Sequence, residues 1–257
     1  MEHVVVPLAA LVASALTLFS GFGLGTLLMP VVALFFPIEV AIAMTAVVHL
    51  ANNVFKGGLV GRHADRRVVL RFGLPAVGAA LVGAALLGRL AEAPPLFAWS
   101  AFGHDFATTR LGLVVGLVIL GFVALELSPR AASLALDPRW LPLGGVVSGF
   151  FGGLSGHQGA FRSMFLLKAG LEKRAFVATG VLVAVLVDLA RTSVYGFEFL
   201  AHRTAIDWPL VVEASVAAFA GAWLGSRWLE KVTIGAVRRI VSAMLVAIAL
   251  GLMAGVI

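Results

Sequence analysis

The chain has 257 residues, 61% of them hydrophobic and only 12% charged, with a mean hydropathy of +1.05. Soluble domains carry roughly twice that charged fraction, so the composition excludes a soluble globular protein and indicates an integral membrane protein. The absence of cysteine excludes disulfides, thiolate chemistry and thiolate-bound metals. The net charge of +6 reads as membrane-flanking anchors rather than a nucleic-acid surface.

A bilayer span needs about 20 apolar residues. Eight segments qualify: 3–36, 38–59, 68–90, 110–127, 141–168, 174–196, 207–229 and 234–256. They leave no room for a separate soluble domain. The first follows only Glu2 and His3, with no basic leader and no small-residue cleavage site, so it is expected to be a span rather than a signal peptide. It is interrupted by Gly21-Phe22-Gly23-Leu24-Gly25, then Thr26 and Pro30. The fifth is interrupted by Gly149-Phe150-Phe151-Gly152-Gly153-Leu154-Ser155-Gly156-His157-Gln158-Gly159. Glycine-rich backbone at membrane depth is tolerated only where protein or a water-filled cavity satisfies it. A pair of such breaks in matching positions of two halves points to the substrate site of a transporter.

Loop charges set the expected orientation. Residues 56–71 carry Lys56, Arg62, Arg66, Arg67 and Arg71; residues 168–174 carry Lys168, Lys173 and Arg174; residues 227–239 carry Arg227, Lys231, Arg238 and Arg239. These three loops, with the weaker Arg130/Arg139 loop, are expected inside, and the connections at 36–40, 89–110 and 191–207 outside. Eight simple spans cannot satisfy this pattern. It is satisfied if both glycine-broken segments are re-entrant hairpins, the first starting and ending outside, the second inside.

The halves also share residues in order. Glu39 to Ala46 resembles Lys173 to Gly180, with Thr45 opposite Thr179. One residue of slippage later, Asn53-x-x-Lys56 falls opposite Asp188-x-x-Arg191, and Gly83 to Glu92 matches Gly221 to Glu230. The expected fold class is an all-α polytopic membrane protein of two inverted repeats, 1–127 and 141–257. Each repeat holds a glycine-broken, re-entrant helical hairpin and three transmembrane helices.

Polar residues cluster at the breaks. A half-helix starting near Gly159 would aim free N–H groups and its positive dipole end into the break, where an anion binds. Ser155, Gly156, His157, Gln158, Gly159 and Arg162 are therefore candidate anion contacts, with Gly23, Gly25 and Thr26 from the first break. Arg162 either grips the anion as a fixed fork, or snorkels to an interface or pairs with a carboxylate such as Asp188. Its counterpart in the first half is Leu28, so a shared site is asymmetric. Thr45, His49, Asn52, Asn53 and Lys56 fall along one face of the next span. They form a polar stripe that faces protein or water, although Thr45 and Asn52 also suit interhelical bonding. Asp188 and Arg191, one turn apart, can pair directly. His49, His157 and Asp188 are the groups available for proton coupling, and Lys56 is expected to snorkel to the inner boundary. Thr179 matches Thr45 as a supporting residue.

Other motifs are weaker. Gly153-Leu154-Ser155-Gly156 fits the GxSG of rhomboid proteases, but the only later histidine, His202, falls in an expected outer loop. The histidines show no metal-binding spacing. The chain has no Walker motif, and neither cofactor nor metal is expected. The five tryptophans lie mostly near expected span ends, as interfacial belts do. Gly78, Gly83 and Gly221 permit close helix packing within one chain or between the protomers of a homodimer.

The Gly-rich first break with Pro30, the Ala41-x-x-x-Thr45 that follows it, and the second break with Ala175-x-x-x-Thr179 resemble the TauE/SafE sulfite exporter family, also called 4-toluene sulfonate uptake permeases. The resemblance covers nearly the whole chain. It implies a multi-pass transporter, in the bacterial inner membrane, for sulfite or an organosulfonate, with no enzymatic activity. One departure stands out. The commoner second motif resembles GxGGGxxxxP, whereas this chain reads Gly156-His157-Gln158-Gly159-Ala160-Phe161-Arg162-Ser163-Met164. This marks a distinct branch, so the substrate does not carry over directly, and the added donors suit a compact oxyanion.

Overall fold

A computed structural model describes residues 1–20, 24–101, 103–128, 136–201, 206–228 and 234–257. Gly21 and Gly23 of the first break, Arg130, His202 and Lys231 lie outside the described residues. The helices are α1 (Glu2–Ser20), α2 (Leu24–Val32), α3 (Ile38–Val60), α4 (Arg66–Ala91), α5 (Arg110–Leu127), α6 (Leu141–Ser155), α7 (Gly159–Leu166), α8 (Lys173–Ala201), α9 (Trp208–Trp228) and α10 (Ile234–Ala254). Four stretches, Ile38–His63, Arg66–Ala91, Lys173–Gly196 and Trp208–Gly225, are long and apolar enough to cross a membrane. α2 begins at Leu24, inside the first glycine phrase; residues 156–158 of the second separate α6 from α7, and the half-helix expected near Gly159 starts there.

The described residues are predominantly helical, as expected of an all-α membrane protein. Within the expected outer connection at 89–110, β1 (Phe97–Ala101) and β2 (His104–Thr108) pair antiparallel. Trp99 stacks near Phe106, and its indole N–H donates to the Ala254 carbonyl at 2.8 Å, tying the hairpin to the end of α10.

Local signals set several helix starts. Asp65 caps α4 by accepting from the Val68 N–H at 2.9 Å, and Thr109 caps α5 through the Gly112 N–H at 2.9 Å. α6 ends at Gly156, whose φ of +80° is the left-handed turn that glycine adopts without strain.

Helix packing relies on missing side chains. Gly145, Gly149 and Gly153 lie four apart on α6, and a Cβ on any of them would strike the carbonyl oxygen of Phe72, Ala76 or Ala80 respectively, on α4. Gly83 meets the Phe150 carbonyl in the same seam. Across the molecule, Gly221 and Gly225 of α9 press on the Leu11 and Ala15 carbonyls of α1. Gly112 and Gly116 of α5 face Leu252 and Ala249 of α10. Gly83 and Gly221 are thus used within the chain, whereas a Cβ at Gly78 would meet nothing within 4 Å.

α7 turns back along α6. The Leu136 N–H, ahead of α6, donates to the Met164 carbonyl at 3.3 Å, and the Phe165 ring fills the space beside Gly144. The chain therefore approaches and leaves this hairpin at one end. At that level of α8, Thr179 accepts from the Asp65 backbone N–H at 2.9 Å, so the α3–α4 loop lies beside the opening turns of α8. His3 in α1 contacts Glu213 at 2.8 Å and Asp207 at 3.4 Å near the start of α9.

Candidate anion site

The polar face of α3, the middle of α8 and the α6–α7 break converge on Asp188, which is fully buried. One carboxylate oxygen accepts from His49 Nδ1 at 2.6 Å and Asn53 Nδ2 at 3.1 Å. The other accepts from Arg191 Nε at 3.0 Å and Gln158 Nε2 at 3.2 Å, with Arg191 Nη2 2.8 Å away. The direct Asp188–Arg191 pairing open to one helical turn is thus the one that forms, and Asp188 makes no ion pair with Arg162. Arg191 Nη1 reaches the Gly152 carbonyl at 3.4 Å, and the Tyr195 hydroxyl donates to the Gly153 carbonyl. These two groups meet carbonyls in the last turn of α6, where helical donors run short; the Gly152 carbonyl also accepts from the Gly156 N–H at 3.0 Å.

The break residues are positioned from several sides. Gln158 is fully buried; its carbonyl accepts from Ser148 Oγ at 2.9 Å, and its side-chain oxygen has no partner. His157 Nδ1 lies 3.0 Å from the Ser155 carbonyl. A carbonyl only accepts, so Nδ1 carries the proton, and Nε2 is the bare nitrogen, buried and unpartnered beside the Phe122 ring. Ser155 Oγ donates to the Phe151 carbonyl at 3.2 Å and sits 3.1 Å from His157 Nδ1. Because that nitrogen donates, it cannot act as the base for a serine nucleophile. The two breaks meet here: a Cβ on Gly25, in the first turn of α2, would lie 3.5 Å from the Gly156 carbonyl and 3.8 and 3.9 Å from Thr45 and His49. Thr26 is buried on α2, and the buried Thr45 hydroxyl has no partner.

Arg162 is held differently from Arg191. Its backbone N–H closes the first turn of α7 on the Gln158 carbonyl at 3.1 Å. Its Nε lies where a Cβ on Gly180 would be 3.4 Å away, and its Nη1 is buried without a partner. Among the described residues it makes no ion pair.

Two positions differ from the sequence reading, and two further residues join the site. Lys56 does not snorkel: it is 5% exposed. With its amide oriented to satisfy both ends, Asn52 accepts from Lys56 Nζ at 3.1 Å and donates to Ser14 Oγ at 3.1 Å and the Ala218 carbonyl at 3.3 Å. Thr179 is buried on α8, but its hydroxyl serves the α3–α4 loop rather than the Asp188 cluster. Ser148 and Tyr195 were not candidates. Tyr195 is the sole tyrosine and lies seven residues after Asp188, on the same helix face, which was the available signal; nothing in sequence links Ser148 to Gln158.

A family model described as Sulfite exporter TauE/SafE matches residues 6–252. Neither a curated protein nor a solved structure matches the chain.

Proposed function

Because the chain belongs to the Sulfite exporter TauE/SafE family, and is therefore a multi-pass membrane transporter, we propose that it exports a small sulfur-containing anion across the bacterial inner membrane. Sulfite is the preferred cargo and an organosulfonate the second. The observation that carries this reading is Arg162, a cation at the opening of α7 with a buried, unpartnered Nη1 and no carboxylate partner among the described residues. A cation inside a membrane protein is costly without a counter-charge. Asp188 does not supply it, being paired with Arg191 and His49. An anion arriving at the break would.

The substrate-binding group is proposed as Gly23, Gly25 and Thr26 from the first break and Ser155, Gly156, His157, Gln158, Gly159 and Arg162 from the second. Thr45, His49, Asn52, Asn53, Asp188 and Arg191 support it, with Thr179 holding the α3–α4 loop against α8. A proton on His157 Nε2 would turn that atom from acceptor to donor, so His157 is the proposed place for a coupling proton.

The two half-helices, α2 with 9 residues and α7 with 8, are too short to cross a bilayer that needs about 20, which supports re-entrant hairpins. Reciprocal packing supports an inverted repeat: α1 lies on α9 while α6 lies on α4. Asn53 and Asp188, opposite one another in the internal repeat, hydrogen-bond at 3.1 Å, as residues near a twofold axis do. Movement of one repeat against the other would then alternate access. A negative cell interior favours anion export by about 2.3 kcal/mol per charge per 100 mV.

The test is sulfite movement in proteoliposomes at fixed potential and pH. Saturable efflux with counterflow is expected. Unsaturable flux without counterflow would make the protein a channel, and inward-coupled flux an uptake permease. Ser155→Ala is expected to keep transport within about threefold, since its hydroxyl serves a local backbone bond of about 1 kcal/mol; complete loss would revive a nucleophilic serine.

A further inference from the structure

The charges around the break do not balance. Two lysine or arginine side chains among those buried in this region, Lys56 and Arg191, and the half-buried Arg162 face a single carboxylate, Asp188. Arg191 and Asp188 cancel through their 2.8 Å contact. His49 and His157 are neutral donors or acceptors when unprotonated. Lys56 and Arg162 remain, and among the described residues neither has a carboxylate within ion-pair distance.

The two cations belong to one region. Gly57, next to Lys56, packs on Val181 and Leu182 of α8, while Arg162 packs on Gly180 in the same turn. Asn53, one turn before Lys56, bonds Asp188, so Lys56 stands at the margin of the same polar cluster. Its Nζ has three N–H groups, and the side-chain oxygen of Asn52 meets one of them. Two like charges held together inside protein repel, and each carries a desolvation cost that only an opposite charge offsets.

We infer that the site takes a divalent oxyanion, bound between Lys56 and Arg162, in preference to a monovalent sulfonate. This rests on the break being an anion site and narrows its cargo. A dianion neutralises both cations, whereas a sulfonate leaves one unmatched. Sulfite satisfies the condition in its fully deprotonated form. Lys56 thereby becomes a specificity-determining residue, with the point charge of an ammonium on one side of the anion and the planar fork of Arg162 on the other.

Sulfate and methanesulfonate are the probes, since they share a tetrahedral shape and differ by one charge and one methyl group. Their equilibrium binding is measured by calorimetry on the purified full-length protein in detergent. Sulfate is expected to bind at least about tenfold tighter, given the coupling energies of close charge pairs. Lys56→Gln should remove most of that ratio by weakening sulfate and sparing methanesulfonate, and Lys56→Arg should retain it. Equal affinities in the wild-type protein, no sulfate binding, or an unchanged ratio in Lys56→Gln overturns the inference. The wild-type comparison decides even if a variant fails to fold. A retained sulfate preference without sulfite transport would sink the proposed cargo and direction while leaving the divalent assignment standing.

Discussion

Replacing Asp188 with asparagine is expected to destabilise the protein by about 3–5 kcal/mol, the range found when one partner of a buried ion pair is removed. Asparagine keeps the shape but loses the charge. Arg191, 1% exposed, would then be a buried guanidinium with no counter-ion. His49 and Asn53 would compete for the single remaining acceptor oxygen, now shared among donors on α3, α8 and the α6–α7 break. The α6–α7 break loosens at the same time, because Arg191 and Gln158 reach it from opposite ends. Thermal unfolding of the detergent-solubilised protein reads this effect. Removing both charges, as Asp188→Leu with Arg191→Met, should recover most of the loss, since no unpaired ion is left inside. An Asp188→Asn variant that melts like the wild type would show that the cluster contributes little to the fold.

Gly149→Val should be similarly damaging for a different reason. Its side chain would enter the space occupied by the Ala76 carbonyl on α4. Neither backbone can yield locally, so the helices must part along the whole Gly145–Gly149–Gly153 seam. Overpacking of this kind costs about 3 kcal/mol, and the hairpin that presents Arg162 moves with α6. Gly78→Ala is the control. It has open space on its face and a small gain in helix propensity, so it should stay within about 0.5 kcal/mol of wild type or stabilise slightly. Yield of monodisperse protein and melting temperature distinguish the two, and equal behaviour would argue against the close α4–α6 approach.

The sequence makes the broad layout legible because bilayer-length apolar segments are long and strongly marked. The ranges of α3, α4, α5 and α9 follow the expected segments to within a few residues. The second glycine phrase was read as one long break, yet only residues 156–158 leave the helix. Gly149 and Gly153 sit inside α6 as a packing ridge. Glycine permits both a chain reversal and a close approach, and the partners that choose between them, Ala76 and Ala80, lie some 70 residues earlier in the chain. The strand pair of β1 and β2 is not legible in the sequence because its strands are five residues each, too short for alternation to stand out.

The site shows the same division. The Asp188–Arg191 pair is a one-turn helical relation and could be read directly. The His49–Asp188 contact spans 139 residues, and only the alignment of the repeats, which sets Asn53 opposite Asp188, hinted at it. The burial of Lys56 is not legible in the sequence, because a lysine near a span end ordinarily snorkels. Its partner Asn52 is held in turn by Ser14 of α1 and Ala218 of α9, and that convergence is a property of the fold alone.

The most direct measurement is sulfite counterflow in proteoliposomes carrying wild type or Arg162→Ala, with melting temperatures recorded for both. Arg162 makes no ion pair among the described residues, so its removal should leave stability unchanged or raise it. The loss of a buried charge contact to the anion should lower counterflow about a hundredfold. Wild-type-like counterflow in Arg162→Ala would contradict the placement of the anion at the α6–α7 break.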